Sequence, residues 1–236
     1  MIFTGPHWWA GLLQIGVLAA ELLVLLLFLR RHNKICGVVL WVIGAYFLVY
    51  KLWEYIFNRK WPIDFSALTY FLFGIAALLP FRPLKTAASF SGFIAGSIFI
   101  VSFILFPEFH NQQNPVFYYR AMGFVNHNLM FTGSFLLMIR YRFKKSDIAF
   151  IVGWLIFVVA YSEIMIYGFH VVDTVEVITK IVDGSIVFNL FSEGKPTWWF
   201  LIIYYLVCIG ILVAFIWLLY RLNSVFYNLS GEAGIQ

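Results

Sequence analysis

Charge is what this sequence has least of. Only 11% of its 236 residues are Asp, Glu, Lys or Arg, too few to cover the surface of a soluble domain of this size. Cysteine is nearly missing as well. Cys36 falls at the end of one apolar run and Cys208 in the middle of another, so neither suits a structural disulfide, and two thiols alone make no metal site. The chain has no glycine-rich phosphate loop and no cluster of metal ligands, so no metal and no other cofactor is expected. It also lacks a basic stretch interleaved with aromatics, which removes nucleic acid as a partner. The opening lacks a basic n-region, and its positive cluster Arg30-Arg31-His32-Asn33-Lys34 follows the apolar run. That order fits a stop-transfer segment rather than a secretory signal.

Apolar side chains are plentiful instead, at 63% of the residues, with 21% aromatic. They fall into seven stretches, at about 8–29, 35–57, 63–81, 86–106, 118–139, 147–169 and 198–222, each near the length of a transmembrane helix. The expected fold is therefore all-α: one polytopic transmembrane domain over 1–236, multi-pass in a cell membrane of bacterial type. Ten Lys and Arg residues lie on one side of these spans and only five, offset by acids, on the other. The positive-inside rule then places the N-terminus outside and the C-terminus in the cytoplasm. Val171, Val175, Ile178 and Val182 form a helical stripe, so the outer loop at 170–197 reads as a lid or interfacial helix. Gly92 and Gly96 make a GxxxG face for close helix packing.

The few polar residues inside the spans carry the functional signal. Phe124-Val-Asn-His-Asn-Leu-Met-Phe131 sets Asn126, His127 and Asn128 in an apolar helix. His127 lies about 14 Å into its span, near mid-bilayer. Such groups are costly in lipid, so they must face protein or a cavity. Glu54, Asp64, Ser66, Thr69, Arg120 and Glu163 map to the same outer half, and Glu21 alone to the inner half. Together they point to a polar cavity opening outward. Lys51 and Glu54, three apart, fit a neutralised pair on one helix face, and Tyr46, Tyr50 and Glu54 form a stripe toward a neighbour.

A histidine is the commonest general base, and a hydroxyl beside it is an activated nucleophile. Ser66 or Thr69 would meet His127 if the third and fifth spans touch. Glu163, Asn126 or Asn128 would orient the ring or bind an oxyanion, and Arg120 would hold a lipid head or serve as an interfacial anchor.

Trp61-Pro-Ile-Asp-Phe-Ser-Ala-Leu68 followed by Gly74-Ile-Ala-Ala-Leu-Leu79 resembles the third-helix signature of the YwaF-type bacterial membrane proteins. His127 and the stretch from Gly184 to Lys195-Pro196 are also similar to that family. The family is similar to transmembrane acyltransferases with an acyl-carrying cysteine, so the resemblance implies chemistry on a membrane lipid. Val125-Asn-His-Asn-Leu-Met130 resembles the androgen-induced transmembrane threonine hydrolases, which use a hydroxyl and an intramembrane histidine. Ser66 stands where the first family has cysteine, and Asp64 where it has histidine or glutamine. Serine can take that place only with a well-placed base; otherwise catalysis is lost. The expected activity is a lipid acyl-ester hydrolase or acyltransferase.

The alternative is a small-solute transporter or binding protein with a 3+1+3 arrangement. Pro62 and Pro196 open the third and seventh spans, and Glu54 and Glu163 end the second and sixth. A retinal protein is excluded, because the seventh span has no interior lysine.

Overall fold

The computed structural model describes residues 7–27, 33–59, 61–62, 64–113, 116–171 and 198–231. The lid expected at 170–197 falls almost wholly outside the described residues, as do Arg30, Arg31, Lys60, Lys180, Lys195 and Pro196. Among the described residues the fold is all-helical: α1 (Trp8–Leu27), α2 (Asn33–Asn58), α3 (Phe65–Leu78), α4 (Arg82–Leu105), α5 (Pro107–Gln113), α6 (Phe117–Arg140), α7 (Ile148–Glu163) and α8 (Trp198–Gly231). A 3-10 turn, Lys145–Asp147, leads into α7, and a π turn, Ile164–Gly168, follows it.

Six of these segments are long and apolar enough to cross a membrane, the architecture of a multi-pass membrane protein. Their outward faces carry Leu13, Val49, Ile156 and Leu206, all exposed, as lipid contact requires.

The third expected span is shorter than 63–81. α3 has 14 residues, about 21 Å, against a hydrocarbon layer of about 30 Å. Its start is fixed by Asp64, which is the N-cap rather than a first-turn residue and accepts the Ala67 N–H at 2.6 Å. Pro62 accordingly precedes the helix. Its end is fixed by Leu79, extended because Pro80 follows. The Lys85 ammonium closes that end by donating to the Ala76 and Leu79 carbonyls, at 2.6 and 2.7 Å.

Two other boundaries also differ. The segment from Pro107, between the fourth and fifth expected spans, forms α5, with proline at its first position and Glu108 in its first turn. The seventh span continues to Gly231 rather than stopping near 222, because Asn223 is buried and Phe226 packs on Phe135 at 5.1 Å.

Close packing comes from small residues. A Cβ on Gly92 would lie 2.5 Å from Ser134 Oγ, and one on Gly96 2.8 Å from Phe131 Cβ, so α4 and α6 touch backbone to side chain along the GxxxG face. The Gly133 Cα lies under the Phe73 ring, which lets α3 reach α6. Phe47, Phe73, Phe90, Met130 and Leu136 fill the core between α2, α3, α4 and α6.

Asn223 ties α8 to the end of α6. It accepts the Phe143 N–H at 3.0 Å and donates to the Met138 and Tyr141 carbonyls, both at 2.8 Å. Asn223→Ala would strand those backbone groups at about 1–3 kcal/mol each. We expect it to destabilise the detergent-solubilised protein by at least about 2 kcal/mol in reversible unfolding, while Asn228→Ala, on the exposed side of α8, changes little.

Candidate functional site

One cluster of polar residues lies where the C-terminal half of α2 meets α3 and the N-terminal half of α6. Helical spacing aligns Tyr46, Tyr50 and Glu54 on one face of α2. Tyr50 Oη donates to Glu54 Oε1 at 2.8 Å, and the Lys51 ammonium holds Oε2. Both carboxylate oxygens are thereby satisfied on a residue that is 7% exposed. The ammonium also sits 4.8 Å from the centre of the Tyr70 ring on α3. Tyr46 stacks on Tyr50 and donates to Asn126 Oδ1 on α6 at 2.6 Å. The neutralised pair and the tyrosine stripe expected from the spacing are both present.

The Asn-His-Asn triplet serves three different neighbours, because successive helical residues point about 100° apart. Asn126 faces α2. Asn128 faces α1, where its amide and that of Gln14 exchange hydrogen bonds at 2.8 and 3.2 Å. Its amide also donates to the Phe124 carbonyl, which leaves it no N–H for a ligand. His127 lies between them against α4 and α3. Its ring stacks on Phe99 at 4.1 Å and 9°, and meets Tyr70 edge-on at 6.1 Å. Nδ1 lies 2.7 Å from the Gly123 carbonyl. A carbonyl only accepts, so the neutral ring carries its proton on Nδ1 and presents Nε2 as the basic nitrogen.

The expected nucleophile has a different partner. Ser66 Oγ donates to Asp64 Oδ1 at 2.6 Å, and no hydrogen bond joins it to His127. Thr69 is fully buried and returns its hydroxyl to the Phe65 carbonyl, a helix-internal role. Arg120 is half-buried in the first turn of α6, and Glu163 ends α7. Of the residues read as one constellation, the structure pairs Ser66 with Asp64, seats Glu54 with Tyr50 and Lys51, and joins Asn126 to Tyr46, with His127 packed on Phe99 and Tyr70. It turns Asn128 to α1 and Thr69 to its own helix.

Two contributors were missed by sequence reading. Gln14 is a single amide in an apolar run, and its partner is 114 positions away. His110 lay in what read as a loop. Its ring packs between Phe99 and Phe103, and Nε2 lies 2.9 Å from Ser102 Oγ. Phe99 thus touches both histidines. Nearby, hydrogen bonds from the His7 side chain and backbone hold the Glu108 carboxyl below its usual range.

No family model, curated protein or solved structure matches the chain. The class is set by the fold and the residues: a multi-pass helical membrane protein with a satisfied charge-bearing cluster where α2, α3 and α6 meet.

Burial lowers the His110 pKa from its ordinary 6.5. As pH falls through 6.5 the unfolded chain binds its proton first, so the stabilisation present above that value is lost on acidification toward the folded pKa. Thermal midpoints in detergent should fall between about pH 7 and 5, with a shallower slope in His110→Asn. For the amide pair, a double-mutant cycle with Gln14→Leu and Asn128→Leu should give a coupling of about 1 kcal/mol.

Proposed function

We propose that this chain crosses the membrane seven times with its N-terminus outside, α3 serving as a short third crossing, and acts on a lipid acyl ester taken from the outer leaflet. The observation that supports this reading is the Ser66–Asp64 hydrogen bond, together with an imidazole on α6 whose tautomer leaves Nε2 basic. The YwaF-type resemblance around Trp61–Leu68 points to the same chemistry.

Ser66 is the nucleophile, as the hydroxyl that already donates its hydrogen bond to a carboxylate. Its Oγ bonds to the ester carbonyl carbon while the proton passes to Asp64. The carbonyl–oxygen single bond then breaks, and the departing alcohol takes that proton. Water, or a second alcohol, attacks the acyl-serine with its proton taken by His127 Nε2. The products are a free acid or a new ester, and Oγ recovers its proton. Asn126 spends its carbonyl oxygen on Tyr46 and keeps its amide N–H groups for the developing oxyanion, which favours it over Asn128. Arg120 contacts the headgroup.

A second reading, solute binding or transport, draws on one observation. The Lys51–Glu54–Tyr50 network buries charge within a spanning helix, and such groups mark solute and ion pathways.

Mass spectrometry of the purified protein, incubated with a phospholipid carrying a labelled acyl chain, separates the two. The ester reading expects an acyl adduct on Ser66 that is absent in Ser66→Ala and accumulates in His127→Ala. Lipid turnover unchanged in both variants, with no adduct, would sink it. Saturable binding of a small polar solute, weakened by Glu54→Gln, would favour transport instead.

A further inference from the structure

The opposite ends of α2 and α6 enclose a second place where ligand chemistry is concentrated. A cavity of about 400 Å³ lies between α2, α3, α4 and α6. Its polar lining consists of Lys34, Lys85, Arg140 and Tyr141, with no acidic residue among the described residues that line it. Lys85 is only 4% exposed. Two of its N–H bonds cap α3, and its ammonium lies 4.8 Å from the centre of the Tyr141 ring. The Arg140 guanidinium lines the same cavity and lies 5.8 Å from the centre of the same ring. Arg140 donates from Nε to Tyr141 Oη at 3.1 Å.

The arginine has a built seat. A Cβ at Gly37 would lie 2.6 Å from Arg140 Nη1 and 2.9 Å from Cζ, so the guanidinium rests flat on the α2 backbone where any side chain would displace it. An anion seated in a cavity lined by several cations is attracted by each of them, and more strongly at low dielectric than in water. A guanidinium held flat, with an ammonium beside it, matches the oxygens of a phosphate group.

We propose that this cavity binds the phosphate of an anionic membrane lipid, with Arg140 and Lys85 as its floor and Lys34 at its rim. The lip decides the source of the phosphate. Val38 and Trp41 line the cavity yet are 63% and 59% exposed on the outer side of α2, a sticky surface directly beside the cations. A polar floor with an apolar lip fits a headgroup followed by its acyl chain. The proposal rests on different residues from the ester reading and stands or falls apart from it.

The test uses the whole purified protein in neutral detergent, titrated with short-chain phosphatidylglycerol, matched phosphatidylcholine and inorganic phosphate. Thermal midpoint and native mass spectrometry are read together. Phosphatidylglycerol should raise the midpoint and give a one-to-one adduct, with phosphatidylcholine weaker by about tenfold or more. Lys34→Gln, at an exposed rim position, should weaken that binding several-fold. Gly37→Ala, which keeps every charge but unseats the guanidinium, should do the same. Equal stabilisation by inorganic phosphate would overturn the lipid as occupant. No preference for phosphatidylglycerol, or binding unchanged in both variants, would overturn the site.

Discussion

A helix of 14 residues is about 21 Å long, and an apolar layer of about 30 Å is longer than that. On the proposed reading, in which α3 is a short third crossing, its ends lie inside that layer, and its orphan backbone groups need partners from the protein. Asp64 supplies them at one end and Lys85 at the other. Both are ionisable groups drawn into the bundle by a backbone requirement, and each brings company. Asp64 brings Ser66, and its field reaches His127. Lys85 brings Arg140 and Tyr141. The two candidate sites thus lie at the two ends of one short helix, with the aromatic core of Phe47, Phe73 and Phe90 between them.

Much of the helical framework was legible because it is local. Long apolar runs separated by basic turns fix where helices start and stop to within a few residues, and a GxxxG pair has one main use in lipid. Lys51 and Glu54 pair because helical spacing leaves them little choice. Boundaries failed where a single side chain overrode a smooth apolar pattern. Asp64 and Pro80 trim α3 inside a run that reads as continuous from 63 to 81, and Asn223 with Phe226 extends α8 into what reads as a tail.

The site was legible as a list of residues and much less as a geometry. Depth along a helix follows from counting, so a similar depth for Glu54, Asp64, Ser66 and His127 could be expected. Azimuth does not follow until the neighbours are known. Asn126 and Asn128 flank His127 in sequence yet turn to α2 and α1. Gln14 carried no signal at all, since a lone amide announces a partner only by being costly in lipid. Ser66 carried a local one: a serine two residues after an N-cap aspartate is placed to bond that carboxylate, a partner close in sequence that competes with any distant base.

The shortness of α3 has an electrical consequence. A membrane voltage falls mainly across low-dielectric material. Along α3 that material is bounded by charged groups at both ends, Asp64 and Lys51 on one side and Lys85 and Arg140 on the other. On the seven-crossing reading, polarisable charged groups at those two ends would shorten the distance over which the potential drops, from about 30 Å toward the about 21 Å of the helix, and steepen the field along it. A proton or charge displaced at either end of α3 would then be coupled to the membrane potential more strongly, per ångström moved, than one displaced on the longer helices.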